Sequence, residues 1–329
     1  MSRRLKVDIQ SWPIRGAFRI SRGAKTEALV VVAQITQDGA SGYGECVPYP
    51  RYGETVEGVA AEIESLRSDI ENGLTRDDLQ ARLHAGAARN ALDCALIDLE
   101  SKQTGRRAYD LLGLPEPGPV QTAFTLSLDT PEATGAAARD AAGRGYGLLK
   151  LKVAGAGDLA RIEAVRRSAP AARLIVDANE GWSADDLAEL GPRLATLGVA
   201  LIEQPLRAGA DEGLLGFNSP VPLCADESCH SRADLPGLIG RYSHINIKLD
   251  KAGGLTEAVA LAREAVALGF GLMVGCMVST SLSMAPASLL AAMAEFIDLD
   301  GPLLLAGDRS PSLRYDADRL YPPEAALWG

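Results

Sequence analysis

The sequence is poor in the residues on which several common kinds of site depend. Its 329 residues include three histidines and five cysteines. His84, His230 and His244 show no metal-ligand spacing, and the cysteines include no Cys-x-x-Cys pair. We therefore expect no zinc site. The odd number and wide scatter of the cysteines fit a reducing compartment better than a disulfide framework.

The signals of a membrane or nucleic-acid-binding protein are also missing. No apolar run reaches the roughly 18 residues that a membrane helix needs, and residues 1–8 lack the apolar core of a signal peptide. The 43 acidic and 33 basic residues give a net charge of −10, which disfavours nucleic acid as a partner. We expect a cytoplasmic protein that binds neither nucleic acid nor membrane. Whether it forms a homo-oligomer is left open.

A repeat of short apolar segments stands out from residue 148 onward. The segments recur at intervals of about 20 to 28 residues, and most of them end in a charged residue. They are 148–152, 174–177, 200–203, 222–226, 245–248, 272–276 and 296–300. Such an interval holds one strand, one helix and two loops, so the repeat predicts βα units in a parallel sheet. With a further strand at 123–128, it predicts an α/β fold of the TIM-like (β/α)-barrel type.

A separate α+β unit is predicted ahead of this barrel. Residues 5–12, 28–36 and 42–46 have strand patterns, and helical patterns follow at about 55–72 and 76–103. Strands followed by helices are typical of an α+β domain.

Prolines and a glycine at 115–119 then interrupt the chain as a linker does. We therefore expect a capping domain at 1–117 and a catalytic barrel at 118–304. The remaining segment, 305–329, is too short for a domain and is expected to pack back on the capping domain.

Three carboxylates, Asp177, Glu203 and Asp226, fall at the ends of three consecutive predicted strands. The carboxyl ends of parallel barrel strands converge at one mouth. Three anionic groups there would repel one another unless a cation lay between them, and oxygen ligands of this kind suit Mg²⁺. An N-cap or a solvated strand end would explain any one of these acids, but not all three at matching positions.

Three lysines are predicted at the same mouth. Lys150 and Lys152 lie two residues apart on one strand, so both point to one face, while Lys248 ends a strand beyond the acids. A metal that holds a substrate carboxylate makes the adjacent C–H more acidic. A base on each face of that carbon would invert the stereocentre, which predicts Lys152 and Lys248 as an acid/base pair. One lysine alone would suffice for elimination or cycloisomerisation.

The motifs around these residues resemble the muconate-lactonising branch of the enolase superfamily. They are Lys150-Leu151-Lys152, Asp177-Ala178-Asn179, Glu203-Gln204-Pro205, Ala225-Asp226-Glu227-Ser228 and Asn246-Ile247-Lys248. The resemblance covers nearly the whole chain and implies an enolase-type modified barrel with a capping domain. A lysine or histidine base working with Mg²⁺ is an established property of that superfamily. The resemblance also implies that Lys150 helps to neutralise the enolate oxygens.

Within this branch the likeness is greatest to the L-Ala-D/L-Glu epimerases of the proteobacterial type. Asp298-Leu299-Asp300 resembles the Asp-x-Asp with which dipeptide epimerases hold the substrate's free ammonium. Thr125 matches a substrate-contacting hydroxyl of the family. Cys276 and Met277 are expected to line the pocket wall between Lys248 and the aspartate pair.

Preference for a glutamate side chain requires a cation in the capping loops. Arg22 matches the arginine that the family uses, and Arg19, Lys25 and Arg51 are its rivals. A bidentate arginine suits a carboxylate well.

The resemblance implies Mg²⁺-dependent epimerisation of L-Ala-D-Glu and L-Ala-L-Glu, dipeptides released from the cell wall. Three alternatives belong to the same branch: a dipeptide epimerase with another side-chain preference, an N-acylamino acid racemase, and a cycloisomerase. A barrel that binds small anions without catalysis is a fourth. The stereoisomer that each lysine serves and the use of Mn²⁺ are left open.

Overall fold

Two sheets of different design organise the chain, which a computed structural model describes over residues 3–20, 23–155 and 157–329. The first is an antiparallel meander of β1 (Arg4–Ile20), β2 (Gly23–Gln37) and β3 (Ala40–Cys46). The three predicted strands are present, and all three are longer than expected. Asp38 and Gly39 have φ of 51° and 83°, which suits the tight turn between β2 and β3.

Helices cover one side of this sheet, and together these elements are called the capping region. The helices are α1 (Val56–Ser65), α2 (Arg67–Glu71), α3 (Arg76–Arg82), α4 (Ala87–Thr104) and α5 (Ala108–Leu111). The prediction of one helix at 76–103 is wrong, because the helical structure is interrupted between α3 and α4. Leu83 is extended, and Gly86 takes a φ of 155° that side chains disfavour. The break allows Glu54 Oε1 to accept a hydrogen bond of 2.8 Å from Ala87 N.

The second sheet has eight parallel strands and confirms the predicted barrel. They are β5 (Phe124–Leu126), β6 (Leu148–Lys152), β7 (Arg173–Asp177), β8 (Val199–Glu203), β9 (Leu223–Ala225), β10 (His244–Ile247), β11 (Gly271–Gly275) and β12 (Phe296–Asp298). The order in the sheet follows the order in the chain. Between the two edge strands, Ala123 N donates to Ile297 O at 2.7 Å and brings the ends of the sheet together.

Helices separate most of the barrel strands. They are α6 (Pro131–Gly143), α7 (Asp158–Ser168), α8 (Ala184–Thr196), α9 (Leu235–Leu238), α10 (Leu249–Ala252), α11 (Leu255–Ala267), α12 (Ser281–Ser288) and α13 (Gly301–Leu304). Among the helices of the described residues, none combines the length and the hydropathy needed to cross a membrane.

The barrel interior is built in two layers, because side chains two residues apart on a strand share a face. The lower layer is an apolar cluster of Ala123, Leu148, Ile175, Leu201, Cys224, Met273 and Phe296. Two residues further along the same strands, the upper layer is mostly polar and consists of Thr125, Lys150, Asp177, Glu203, Asp226, Gly275 and Asp298. The fold therefore sets the charged groups on an apolar floor.

The carboxyl-terminal residues contact both parts of the molecule. β13 (Tyr315–Asp316) and β14 (Arg319–Leu320) form a small antiparallel sheet with β4 (Val120–Gln121) at the entry to the barrel. Trp328 is fully buried, and its Nε1 donates to Tyr43 O of the capping region at 2.9 Å.

Candidate active site

A cavity of about 790 Å³ lies between the barrel mouth and the capping region. The capping region contributes the ends of β1 and β2 and residues 47–52. Of the candidate site residues predicted from the sequence, the cavity is lined by Lys25, Arg51, Thr125, Lys150, Lys152, Asp226, Lys248, Cys276, Met277, Asp298 and Asp300. Asp177 and Glu203 lie fully buried beneath them. Arg22 lies outside the described residues.

The strand order places the lysines on either side of the acids. Lys152 is in register with Asp177, and Asp177 with Glu203, across β6, β7 and β8. Asp226 follows β9, and Lys248 follows β10. Strands β7 to β9 therefore carry the acids, while the flanking strands β6 and β10 carry the two predicted bases.

Lys150 lies at the centre of the charged layer and is 1% exposed. Its Nζ is 2.6 Å from Glu203 Oε2, 2.7 Å from Asp298 Oδ2 and 3.2 Å from Asp177 Oδ2. The contact with Glu203 is an ion pair without the alignment of a hydrogen bond. Burial acts to lower the pKa of Lys150, but the three carboxylates outweigh it and raise the pKa well above its ordinary value. Lys150 is thus a permanent cation among these acids.

Each predicted base donates to one acid. Lys152 Nζ donates to Asp177 Oδ2 at 2.5 Å, and Lys248 Nζ donates to Asp226 Oδ2 at 2.6 Å. Burial acts to lower the pKa of Lys248, but Asp226 and Glu203 raise it well above its ordinary value. Asp177 and Asp226 therefore each accept a hydrogen bond from one lysine.

The acids themselves differ in pKa. Burial raises the pKa of Glu203, and the negative charge of Asp177 raises it further, to about 7. Burial acts in the same direction on Asp177, but Lys152 and Lys150 outweigh it and lower the pKa to about 2. Burial and the nearby charge of Asp177 thus both disfavour the charged form of Glu203, and an added cation would favour it.

The donor set fits a divalent cation. In the part of the chain that the structure describes, no three His, Cys, Asp or Glu side chains form a ready metal cluster; lysine ammonium groups contact the acids instead. Three buried carboxylates on adjacent strand ends nevertheless supply the hard oxygen donors that Mg²⁺ prefers. A cation there would compete with the ammonium groups for the same oxygens.

Two further acids, Asp298 and Asp300, lie at and just after the end of β12. Thr125 N donates to Asp300 Oδ2 at 2.6 Å, and Thr125 Oγ1 donates to Asp298 Oδ1 at 3.4 Å. Burial and the charge of Asp298 raise the pKa of Asp300 to about 7. This end of the cavity is therefore suited to a cationic group of a ligand.

The rivals of Arg22 occupy different places. Arg51 lines the cavity and forms a two-pronged pair with Glu180, with N···O distances of 2.8 and 2.7 Å. Arg19 lies 3.9 Å from Asp129 and does not line the cavity in the described residues. Lys25 lines the cavity, with its Nζ 5.2 Å from the centroid of the Tyr49 ring.

Two residues of the site had no role in the sequence analysis. Asn246 Nδ2 donates to Glu203 Oε1 at 2.8 Å, and Lys251 Nζ donates to Asp226 Oδ1 at 2.7 Å. A signal existed for Asn246, which precedes Lys248 by two residues and so shares its inward face. Lys251 lies three residues after Lys248, one turn further along the chain, and its direction depends on how α10 packs.

A capped barrel with acidic strand ends between two lysines defines the enolase-type class of fold. Residues 133–315 match the family described as Enolase C-terminal domain-like. Residues 2–113 match the N-terminal domain of the mandelate racemase / muconate lactonizing enzymes. The chain belongs to the mandelate racemase / muconate lactonizing enzyme family of the enolase superfamily, as its motifs predicted.

Two relatives are similar over nearly the whole chain. The L-Ala-D/L-Glu epimerase of Escherichia coli is 48% identical over 97% of this chain and 99% of its own length. An N-acetyl-D-glutamate racemase from Pseudoalteromonas sp. is 46% identical over 91% of this chain and 95% of its own.

Solved structures show the same architecture. An enolase family member from Agrobacterium tumefaciens, with bound sodium and L-Ala-L-Glu, is 52% identical, has a TM-score of 0.97 and is matched over 99% of this chain and 100% of its own. A dipeptide epimerase from Enterococcus faecalis, complexed with Mg and L-Leu-L-Tyr, is 29% identical, has a TM-score of 0.92 and is matched over 99% of each chain.

Proposed function

We propose that the protein is an isomerase that epimerises L-Ala-D-Glu and L-Ala-L-Glu at the glutamate α-carbon, with Mg²⁺ as cofactor. One observation carries the proposal: Lys152 ends β6 and Lys248 follows β10, the two strands that flank the three acidic strand ends, and both lysines line one cavity. The relation to the E. coli epimerase supports this substrate class, and the Mg-complexed Enterococcus relative supports the metal.

Asp177, Glu203 and Asp226 would hold the metal. Bound Mg²⁺ would polarise the substrate carboxylate and stabilise the charge that develops when the α-proton leaves. The chain's own contribution is to keep all three carboxylates buried on adjacent strand ends and to surround them with lysines.

Lys152 and Lys248 would carry the proton transfer. One amine removes the α-proton from one face, and the other, as an ammonium, returns a proton to the opposite face. The two lysines thereby exchange protonation states in each turnover, and the reverse reaction uses them in exchanged roles. Lys150, protonated and central, would balance negative charge on the substrate's carboxylate oxygens.

The other end of the cavity would set substrate orientation. Asp298 and Asp300 would hold the ammonium of the dipeptide, with Thr125 fixing both carboxylates. Cys276 and Met277 would form the wall beside them. Arg22 and Lys25 are the capping residues that we propose for the glutamate side chain.

A second candidate is racemisation of N-acetylglutamate, favoured by the 46% identical Pseudoalteromonas relative. It would use the same α-carbon and both carboxylates. An N-acetylated substrate has no ammonium, however, so it would offer no cation to Asp298 and Asp300. The buried acid pair therefore favours the dipeptide.

The test is α-deuterium uptake in D₂O, followed by NMR, for L-Ala-L-Glu and N-acetyl-L-glutamate side by side with MgCl₂. We expect faster exchange and epimerisation of the dipeptide, and loss of both when a chelator removes the metal. Exchange confined to the N-acetylated substrate would establish the second candidate instead. Activity that survives complete removal of divalent ions would refute the metal mechanism.

The setting that we propose is the cytoplasm, where the enzyme would process dipeptides released from the cell wall. Five free cysteines, all in the described part of the chain, support a reducing compartment.

A further inference from the structure

Lys251, which has no role in the proposed catalysis, is buried as completely as Lys150. Lys251 is 1% exposed, and a lysine is rarely buried to this extent unless it is paired. It is not among the residues that line the cavity in the described part of the chain. Whatever it does for a ligand, it must do through another residue.

All three donors of the Lys251 ammonium are used. Its Nζ donates to Asp226 Oδ1 at 2.7 Å, to Asp226 O at 2.5 Å and to Asn246 O at 2.9 Å. An ammonium has three N–H donors and no acceptor. Asp226 and Asn246 together therefore satisfy every donor of Lys251.

These bonds divide the two oxygens of Asp226 between two lysines. Lys248, on the cavity side, donates to Oδ2, while Lys251, away from the cavity, donates to Oδ1. Oδ1 is therefore held back from the cavity, and Oδ2 is the oxygen that can leave its ammonium partner for another cation.

The same lysine connects a second acid. It binds the carbonyl of Asn246, whose side chain donates to Glu203 Oε1 at 2.8 Å. The turn that carries Lys251 is fixed from the other side by Arg89 of the capping region, which donates to Ala252 O and Gly253 O at 2.7 and 2.9 Å. Hydrogen bonds on both sides therefore fix the position of Lys251.

We propose that Lys251 is a positioning residue of the metal site, which orients Asp226 so that this acid offers one oxygen, Oδ2, to Mg²⁺. The inference rests on the proposed function, in which Asp226 is a metal ligand. Groups that hold a ligand from behind commonly change metal affinity about 10- to 100-fold when they are removed.

Charge and position can be separated with two matched variants. Lys251→Met and Lys251→Gln both remove the positive charge and are similar in length, but only Gln keeps N–H donors. MgCl₂ is titrated into each protein by calorimetry without substrate. We expect Mg²⁺ to bind about tenfold more weakly to the Met variant than to the Gln variant, with both variants folded in the absence of metal.

A pure charge effect would instead make the two variants bind Mg²⁺ equally, and equal affinities would overturn the proposal. Should Lys251→Met fail to fold, Lys251→Gln is compared with the natural protein. It retains fewer donors, so we expect weaker binding, whereas equal or tighter binding would again overturn the proposal. If the natural protein itself binds no Mg²⁺ in the titration, the proposed function fails, which is a different result.

Discussion

The lower and upper layers of the barrel interior lie two residues apart on the same strands, yet they differ in almost every physical respect. Leu148, Ile175 and Phe296 are apolar and buried, whereas Lys150 is charged and pairs with both Asp177 and Asp298. The lower layer gains free energy from burial. The upper layer tolerates burial only because its opposite charges are paired.

The difference indicates that the two layers of each strand have separate roles. A change in the lower layer should lower the stability of the fold, while a change in the upper layer should lower activity. The first two of the following predictions test these separate roles, and the others test charged groups outside both layers; they run from the largest expected effect to the smallest.

The largest effect is expected in the upper layer. Lys152→Met should lower the rate of epimerisation by about 10²- to 10⁴-fold, because it removes one acid/base group, while α-deuterium exchange from one stereoisomer survives. Lys248→Met is the matched variant and should spare exchange from the other stereoisomer. The measurement is NMR of both isomers in D₂O. Full turnover in both variants would show that the opposed lysines are not the bases.

The lower layer should respond in the opposite way. Phe296→Ala should lower the free energy of unfolding by about 3–5 kcal/mol, the usual result of truncating a buried aromatic side chain. The measurement is denaturant unfolding without metal. Met273→Leu in the same layer keeps the volume and should change stability by less than about 1.5 kcal/mol.

Mg²⁺ affinity of the folded Phe296→Ala variant should stay close to that of the natural protein. Loss of metal binding in a variant that remains folded would show that the two layers do not have separate roles.

The layered barrel could be predicted from the sequence because its signal is local. The two-residue period sets Lys150 and Lys152 on one face, and the strand interval sets Asp177, Glu203 and Asp226 at matching ends. Both rules need only the geometry of a parallel βα repeat.

Other features depend on contacts between distant parts of the chain. Arg51 was a rival for the substrate, but Glu180 of the barrel holds it. Lys251 acts on Asp226 only because the short helix α10 turns it inward. The break between α3 and α4 follows from Gly86 and from Glu54, which accepts a bond from the first residue of α4. The hydrophobic period of a single segment does not predict contacts between residues that are far apart in the chain.

An acid without a lysine partner gives the next prediction. Asp250, in α10, accepts bonds from Val47 N at 3.0 Å and Asn90 Nδ2 at 2.8 Å. Burial raises its pKa to about 7, whereas in Asp226 the opposing charges of Lys248 and Lys251 outweigh burial and lower the pKa well below its ordinary value. Asp250→Asn keeps an oxygen acceptor and removes the buried charge, so it should stabilise the protein at neutral pH.

The pH dependence has a definite sign. Between about pH 4 and 7 the folded state keeps the Asp250 proton that the unfolded state releases, so this residue destabilises the fold increasingly as pH rises. The advantage of Asp250→Asn should grow by about 1.4 kcal/mol per pH unit in that window and level off above it, to roughly 4 kcal/mol in all. Unfolding curves at pH 5, 6, 7 and 8 would measure it. An advantage that is the same at every pH would contradict the raised pKa.

The smallest effect is expected at the rim of the cavity, where charges are solvated and neither layer's rule applies. Lys25 lines the cavity and is exposed, so its attraction for a glutamate side chain should be worth about 1 kcal/mol. Lys25→Met should therefore raise KM for L-Ala-L-Glu about fivefold and leave KM for a dipeptide with an apolar second residue unchanged. Arg19→Met, which removes a cation outside the cavity lining, is the matched control and should change neither value. Equal KM values for Lys25→Met and the natural protein, together with a large rise in Arg22→Met, would assign the side-chain carboxylate to Arg22 alone.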